Sequence, residues 1–296
     1  MNKLIAYRKY LHKHCAVALA VLLASSLVAC ANLSDTHSTD ANVLTKERIA
    51  EILASPDRSA ADRSNDARRK PEQMLAFIGV RPGMVALDLS ASGGYTTELL
   101  ARAVGPNGRV YAQNAPRDPN SAARPPVAPE GNSSPSAAPA PARSPAPRLT
   151  PAQALTERAK NPAVANIIPV TRKFEDPAPS EVATGGLELV TLMLNYHDLG
   201  HLGVDRDQMN RAVYAALKSG GIYVIADHAG RPGTGISESG TLHRIEEAFL
   251  RKEVESAGFK LAGEADFLRN PADPRDKNTP EPAQPKDEFV LKFVKP

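Results

Sequence analysis

Short apolar runs alternate with amphipathic stretches along most of this chain, and this alternation restricts its fold more than any other feature. Five runs have the length and composition of buried strands, at residues 84–89, 109–113, 166–170, 187–194 and 222–226. Apolar residues at helical spacing surround them, at residues 44–53, 62–77, 95–104, 149–160, 205–217 and 241–257. Strands that are apolar on both faces and are separated by helices form a parallel sheet that helices cover on both sides.

The end of the chain departs from this alternation. Residues 259–267 and 288–294 alternate enough to be two more strands, and no helical pattern separates them. Two such strands can pair in antiparallel fashion across the intervening loop. The sequence therefore predicts an α/β protein with a seven-stranded, mostly parallel sheet and an antiparallel last strand. In such sheets ligands bind outside the carboxyl ends of the strands, so we expect the functional residues in those loops.

The N-terminus has the pattern of a lipoprotein signal peptide. Residues 1–29 combine basic residues with an apolar stretch at 16–28, which is shorter than the roughly 20 residues needed to span a bilayer. This stretch leads into Leu-Val-Ala-Cys, which resembles the bacterial lipoprotein box and makes Cys30 the predicted lipidation site. Residues 30–42 are interpreted as a tether. The alternative is an ordinary cleaved signal in which the cysteine occurs by chance.

These features predict the bacterial cell envelope as the location. We expect a periplasm-facing lipoprotein held at the membrane by a lipid anchor on Cys30, and Ala31 after the cysteine favours the outer membrane. Without residues 1–29, 32 basic residues stand against 33 acidic ones. This near-neutral balance lacks the electrostatic signature of nucleic-acid binding, so no nucleic-acid partner is expected. Because Cys15 leaves with the signal, no disulfide or cysteine-ligated metal is expected in the folded part.

A segment rich in proline and alanine interrupts the alternation after the second strand. Residues 115–148 contain no aromatic residue and few large apolar ones. Such a composition cannot bury enough surface to offset the entropy that is lost on ordering. We therefore predict a disordered insert at 115–148 within a domain that spans residues 43–296. The alternative is a polyproline segment that binds a partner.

Three short motifs along the chain match one family. Residues 88–94, Asp-Leu-Ser-Ala-Ser-Gly-Gly, resemble motif I of the class I S-adenosylmethionine-dependent methyltransferases, acid-x-Gly-x-Gly-x-Gly. Residues 217–221 resemble the family's Leu-Lys-Pro-Gly-Gly before strand five, and residues 257–259 resemble its Ala-Gly-Phe before strand six. The resemblance covers residues 71–294 and is closest to methyltransferases that are predicted to carry a secretion signal. It implies a Rossmann-like class I methyltransferase fold with S-adenosylmethionine as the cofactor.

The resemblance also implies a set of cofactor-binding residues. Glycines in motif I let the backbone approach the ligand, and Ser90, Ser92 and Gly94 stand at the three glycine positions here. The serines either hydrogen-bond the ligand or exclude it through their side chains. Gln113 and Asn114 follow the second strand, where the family has an acid that binds the ribose hydroxyls. The predicted cofactor-binding residues are Asp88, Ser90, Ser92, Gly93, Gly94, Gln113, Asn114, Glu175 and Asn195.

Polar residues also follow the later strands. After the third strand, Glu175 matches an acid that often lies near the adenine amine in the family. The fourth and fifth strands are neighbours in the family's strand order, and their ends lie on the acceptor side of the cofactor. The predicted catalytic groups there, which position the acceptor or remove its proton, are Tyr196, His197, Asp198 and His228. The alternative is that the two histidines only satisfy backbone groups of the loops.

A metal site is not predicted. His197 and His201 have an i, i+4 spacing that suits two ligands on a helix, but Gly200 between them weakens a helix, and no third ligand is evident. His243 falls in the predicted helix at 241–257, where capping and dipole effects account for the polar residues of the first turn.

Two main functions follow from the sequence. The first is an S-adenosylmethionine-dependent methyltransferase that acts on an unknown acceptor, either a small molecule or an envelope component. The second is a catalytically inactive, methyltransferase-like envelope lipoprotein that binds a ligand or a protein. A nicotinamide-dependent dehydrogenase is a third interpretation because its sheet topology is similar, and a fold alone does not decide function.

Overall fold

The computed structural model describes residues 43–116 and 149–296. The predicted signal peptide at 1–29, Cys30 with the tether to residue 42, and residues 117–148 of the insert lie outside the described residues. The anchor and the disorder of the insert therefore remain predictions. Within the described ranges, no helix combines the length and the apolar composition that crossing a membrane requires.

The described residues build one seven-stranded sheet. Its strands are β1 Val85–Leu89, β2 Arg109–Asn114, β3 Ile167–Thr171, β4 Leu187–Met193, β5 Leu217–His228, β6 Lys260–Ala265 and β7 Glu288–Val294. They lie in the order β3-β2-β1-β4-β5-β7-β6. The pairs from β3 to β5 are parallel, and β7 pairs in antiparallel fashion with both of its neighbours. The predicted α/β class, strand number and antiparallel last strand are confirmed.

Helices connect these strands and cover both faces of the sheet. The α-helices are α1 Lys46–Ala54, α2 Ala60–Arg69, α3 Pro71–Ile78, α4 Tyr95–Val104, α5 Pro151–Arg158, α6 Asp198–His201, α7 Arg206–Ala216 and α8 Glu247–Ser256. A short 3-10 helix, Pro162–Val164, precedes β3. The apolar residues form two core clusters, one that includes α1, α3, α4 and α5 and one that includes α7 and α8.

Neighbouring residues along a strand contribute to different clusters. In β1, Ala86 belongs to the cluster with α3 and α4, whereas Leu87 belongs to the cluster with α7 and α8. Successive side chains of a strand point to opposite faces of the sheet, so a strand with helices on both sides has apolar residues on both of its faces. This is why the central strands were recognisable in the sequence as continuous apolar runs.

Two predicted helices have different bounds in the structure. The predicted helix at 62–77 is divided between α2 and α3, because Lys70 has a left-handed φ of 48° and Pro71 starts the next helix. A proline cannot donate the backbone hydrogen bond that would continue a helix, and it restricts the residue before it. The predicted helix at 241–257 begins only at Glu247.

The segment before α8 is held by the sheet instead of forming helix. Ile245 makes a parallel bridge with Ala229, its N–H donates to the carbonyl of His228 at 3.1 Å, and its carbonyl accepts from Gly230 at 2.7 Å. These backbone groups are therefore not available for helical hydrogen bonds. As a result His243 lies beside the ends of β4 and β5 and not in the first turn of a helix, which corrects the sequence interpretation.

Candidate functional site

The turn after β1 keeps the backbone that a glycine-rich turn requires. Ser90, Ser92 and Gly94 all have left-handed φ values, of 54°, 52° and 88°. These are the three positions at which motif I has glycine. A left-handed backbone costs a residue with a Cβ about 1–2 kcal/mol, whereas glycine adopts it freely. The two serines are therefore held in this conformation by their surroundings.

The amide side chains at the end of β2 hold this turn. Gln113 Oε1 accepts the Ser90 N–H at 3.0 Å, and Gln113 Nε2 donates to the Arg172 carbonyl at 2.6 Å. Asn114 Oδ1 accepts the Ser92 N–H at 3.0 Å. Gln113 is fully buried. The oxygen and the nitrogen of its side-chain amide are therefore both hydrogen-bonded within the protein, although the resemblance had implied that this residue binds the ribose hydroxyls.

Gly94 is required by packing as well as by its backbone conformation. A Cβ at this position would lie 2.7 Å from Leu155 Cδ2 and 3.0 Å from Arg158 Nε, both on α5. Arg158 Nε also donates to the Gly93 carbonyl at 3.0 Å. A Cβ on Gly93, by contrast, would meet nothing within 4 Å. The turn is therefore packed against α5 on the Gly94 side and open at Gly93.

Asp88, at the end of β1 just before the turn, is hydrogen-bonded to residues of two other elements. Its two carboxylate oxygens accept hydrogen bonds from Thr97 Oγ1 at 2.6 Å and from Thr191 Oγ1 at 2.7 Å. Burial disfavours the charged form and raises the pKa of Asp88 to about 6, although the two hydroxyl donors act in the opposite direction. The carboxyl group joins β1, α4 and β4 and does not face a ligand.

The raised pKa of Asp88 predicts an unusual response to pH. The folded state holds this proton more tightly than the unfolded chain, so the resulting stability is complete below about pH 4 and is lost as the pH rises through about 6. At pH 7 the buried charge costs about 3 kcal/mol. We therefore expect Asp88→Asn to unfold at an equal or higher urea concentration than the wild type at pH 7.

The control for this prediction is the pH dependence itself. The difference in the free energy of unfolding between Asp88→Asn and the wild type should shrink between pH 7 and pH 5, because the wild-type carboxyl group becomes protonated there. Titrations with urea at pH 5, 6 and 7 measure this difference. A variant that is less stable by more than about 1 kcal/mol at every pH would mean that the charged form is favoured in the fold.

A chain of side-chain contacts connects the turn with the end of β4. Ser90 Oγ donates to Asn195 Oδ1 at 2.6 Å, and Asn195 Nδ2 donates to Asp198 Oδ2 at 3.0 Å. His243 Nδ1 lies 2.7 Å from Asp198 Oδ1. The predicted cofactor turn and Asp198, one of the predicted catalytic residues, therefore belong to one continuous polar site.

Asp227 at the end of β5 determines how His197 is placed. Both side chains are fully buried, and His197 Nδ1 lies 2.6 Å from Asp227 Oδ1. The same carboxylate accepts the N–H of His197 at 2.7 Å and the N–H of His228 at 2.8 Å. Because a carboxylate only accepts hydrogen bonds, Nδ1 of His197 carries a proton in this contact.

Asp198 is the centre of a histidine cluster. Its Oδ1 atom lies 3.2 Å from His197 Nε2 and 3.7 Å from His201 Nδ1, in addition to the contact with His243. The ring centroids of His197 and His228 are 5.1 Å apart. The structure thus brings three of the predicted catalytic residues together and adds His243, which the sequence interpretation had assigned to a helix.

Backbone strain is concentrated around this edge of the sheet. In the described residues, the residues other than glycine with positive φ are Lys70, Ser90, Ser92, Leu194, His243 and Arg275. Four of these six flank the site, in the turn after β1, after β4 and in the segment before α8. For a bulky residue such as Leu194, with a φ of 58°, this is an outlier. Strain of this kind persists only where the surrounding structure holds it, and it clusters at functional sites.

An apolar cavity opens beside the polar cluster. Its volume is about 420 Å³ with its mouth included, and α3, α4 and the ends of β4 and β5 enclose it. Met193, Leu194 and Ala226 line it on the sheet side. Leu194 and Ala226 directly precede Asn195 and Asp227, so the cavity reaches the same strand ends as the polar site.

Comparison with known proteins identifies the fold. No protein-family model matches the chain, and no curated protein does. A crystal structure of an S-adenosylmethionine-dependent methyltransferase from Aquifex aeolicus matches with a TM-score of 0.51 and 14% identity, over 86% of this chain and 100% of that chain. The chain has the class I methyltransferase fold. The [4+2]-cyclase SpnF matches about as well, with a TM-score of 0.50 and 13% identity over 80% of this chain and 81% of that chain.

At this identity the methyltransferase fold is shown and the activity is not, as the cyclase illustrates. The chemistry has to be argued from the site. Within this fold, the turn at residues 90–94 and the histidine cluster occupy the carboxyl edge of the sheet, where ligands of parallel α/β proteins bind.

Two of the predicted site residues lie apart from the cluster. The Tyr196 hydroxyl donates to Glu253 at 3.0 Å and accepts from Asn210 at 2.8 Å, in the core with α7 and α8. Burial, with the negative charge of Glu253, raises the pKa of Tyr196 well above its ordinary value, so this hydroxyl does not exchange a proton near neutral pH. Glu175 Oε1 accepts the N–H of Asp205 at 3.3 Å at the start of α7.

Proposed function

We propose that this protein is an S-adenosylmethionine-dependent methyltransferase that acts on a small molecule or an envelope component. The observation that carries the proposal is the left-handed backbone at Ser90, Ser92 and Gly94 in the turn after β1. This conformation costs serine about 1–2 kcal/mol at each position, and the protein retains it at the positions where motif I has glycine. Its retention in a methyltransferase fold supports a turn shaped for a ligand.

The residues present fit this cofactor. Ser92 is exposed, Ser90 and Gly93 are half-buried, and Gly93 has open space where a side chain would be. The turn, together with the half-buried Asn114 and Asn195, would hold the ligand. When bound, the cofactor supplies an electrophilic methyl group. The chain's own contribution is to align an acceptor with that group, which is the main requirement for such a transfer.

The acceptor side is formed by the polar cluster and the apolar cavity. Asp198, His201 and His243, whose side chains are 20%, 23% and 30% exposed, are its accessible polar groups. The cavity beside the polar cluster is lined by apolar side chains. We therefore propose an acceptor with an apolar body and one polar group that carries the nucleophilic atom.

One observation favours the inactive, ligand-binding alternative. Gln113 stands where the family has an acid for the ribose hydroxyls, and it is buried with both ends of its amide bonded within the protein. An amide also lacks the charge-assisted hydrogen bond of a carboxylate. A cofactor that binds without a carboxylate at its ribose hydroxyls must obtain its binding energy from the turn after β1 and from the residues at the ends of the strands.

Calorimetry of the full chain in detergent separates the alternatives. We expect S-adenosylmethionine and its demethylated product to bind with dissociation constants below about 100 µM, which corresponds to roughly −5.5 kcal/mol. If neither compound produced heat or a thermal shift, the result would support the inactive lipoprotein. A thermal shift with NAD instead would support the dehydrogenase.

The serines of the turn provide a second test. Replacing both Ser90 and Ser92 by glycine removes two Cβ atoms and lets the backbone approach the ligand, so cofactor binding is expected to tighten roughly tenfold, or by about 1.4 kcal/mol. Ser92→Ala is the matched control, because it removes the hydroxyl and keeps the Cβ, and we expect it to bind like the wild type. Calorimetry measures all three proteins. An unchanged or weaker affinity of the double glycine variant would show that the serines do not obstruct the ligand.

A further inference from the structure

The histidine cluster around Asp198 has the composition and spacing of a metal centre. One potential ligand atom from each of His197, Asp198 and His243 lies within 4.8 Å of the others. Asp198 Oδ1 is 3.2 Å from His197 Nε2 and 2.7 Å from His243 Nδ1. Ligand atoms at about 2.0–2.1 Å from a tetrahedral zinc ion are roughly 3.3 Å apart, and the two distances to Asp198 are close to this spacing. We propose that they bind a divalent transition-metal ion.

The groups behind these side chains support the proposal. A histidine that binds a metal usually donates its other ring N–H to a carboxylate. His197 does so to the fully buried Asp227, at 2.6 Å, and Nε2 is the ring nitrogen on the side of Asp198, at 3.2 Å from its Oδ1 atom. Asn195 Nδ2 donates to the other oxygen of Asp198 at 3.0 Å. Two of the three ligands are thus oriented by partners that do not bind the ion themselves.

The third ligand comes from a segment that is anchored independently. Arg244, next to His243, is fully buried and binds the carbonyl of Ala229 at 3.0 Å and the carboxylate of Asp273 at 2.9 Å. His243 itself has a left-handed φ of 51°. This strained backbone brings its ring to Asp198, and a helix beginning at residue 241 would not. The residue that completes the ligand set, His243, therefore has a strained backbone conformation.

The ligand set selects a class of ion. Two imidazoles and one carboxylate suit zinc and its neighbours in the first transition series, whereas magnesium and calcium prefer oxygen ligands alone. Three protein ligands leave one position of a tetrahedral ion open, as in catalytic zinc sites. The site does not depend on methyl transfer, and it can be tested without any cofactor.

Zinc and cobalt binding to the full chain test the proposal. After removal of metals by a chelator, we expect the wild type to bind one zinc ion tightly and magnesium not at all. His243→Gln should weaken zinc binding at least 100-fold, because a neutral amide replaces an imidazole ligand. Asp207→Asn is the control, since it neutralises an exposed carboxylate that pairs with Arg211 on the surface of α7, and its zinc affinity should stay within threefold of the wild type.

A ligand exchange at the same position distinguishes coordination from a structural role. His243→Cys keeps a zinc ligand, so its zinc affinity should recover most of what His243→Gln loses. Its cobalt complex should also gain the thiolate-to-metal absorption band that the wild-type complex lacks. Circular dichroism shows whether each variant is folded. Zinc binding that is equal in folded His243→Gln and in the wild type, or a cobalt complex of His243→Cys without the thiolate band, would overturn the proposal.

Discussion

Replacing Asp227 by alanine is expected to lower the free energy of unfolding by about 4 kcal/mol. The carboxylate is fully buried and accepts three hydrogen bonds, from the N–H groups of His197 and His228 and from Nδ1 of His197. Alanine would leave these donors buried without an acceptor. For a domain of this size the melting temperature should fall by roughly 10 °C.

Urea denaturation at pH 7 measures this effect, and two variants control for it. Asp227→Asn keeps one accepting oxygen and is expected to lose about half as much stability. Asp207→Ala removes an exposed carboxylate that pairs with Arg211 on the surface of α7, and its effect should stay within about 0.5 kcal/mol. A loss below about 1 kcal/mol for Asp227→Ala would mean that water replaces the carboxylate, and that the end of β5 is less closed than the structure shows.

Replacing Arg244 by alanine is expected to cost a similar amount, about 4 kcal/mol. Its guanidinium group is fully buried and donates to the carbonyls of Ala229 and Lys277 and to the carboxylate of Asp273. Without it, the buried Asp273 loses its counter-charge, and the two carbonyls lose their donor. The segment before α8 would also lose the anchor that holds His243 at Asp198.

Thermal unfolding followed by circular dichroism measures this second effect. Arg244→Lys keeps the positive charge and loses the planar set of donors, so we expect an intermediate loss of stability. Arg231→Ala is the matched surface control, because this half-exposed arginine pairs only with Glu238 among the ion pairs of the described residues, and it should cost less than about 1 kcal/mol. If Arg244→Ala were no worse than Arg231→Ala, Arg244 would not anchor this segment.

The strands were predictable because their signal is local. Each central strand is apolar on both faces, and each is followed by a helix or a turn that the sequence marks with glycine, proline or serine. The same reasoning misplaced two helix boundaries, one for a local reason and one because of a contact between residues distant in the sequence. Lys70 and Pro71 divide one amphipathic stretch into α2 and α3, and the bridge between Ile245 and Ala229 replaces the first turn of the predicted α8.

The site was predictable only in part. The resemblance pointed to residues at the correct edge of the sheet, and His197, Asp198 and His228 do lie together there. The partners of polar side chains could not be predicted in the same way. Tyr196 directly precedes His197 in the sequence, yet its hydroxyl binds Glu253 and Asn210 in the core. Alternation along a backbone tells which face a side chain takes, and it does not tell which group that side chain meets.

The sequence by itself determined the class of fold, since the periodicity of apolar residues over five to ten positions is enough to distinguish buried strands from amphipathic helices. Only the tertiary structure decided what the polar residues do. Gln113 accepts a hydrogen bond from the N–H of Ser90, Asp227 orients the ring of His197, and the ring of His243 contacts Asp198. These partners are separated by 23, 30 and 45 residues. Hydrogen bonds act over about 3 Å, so such pairs exist only after the sheet has brought the ends of its strands together.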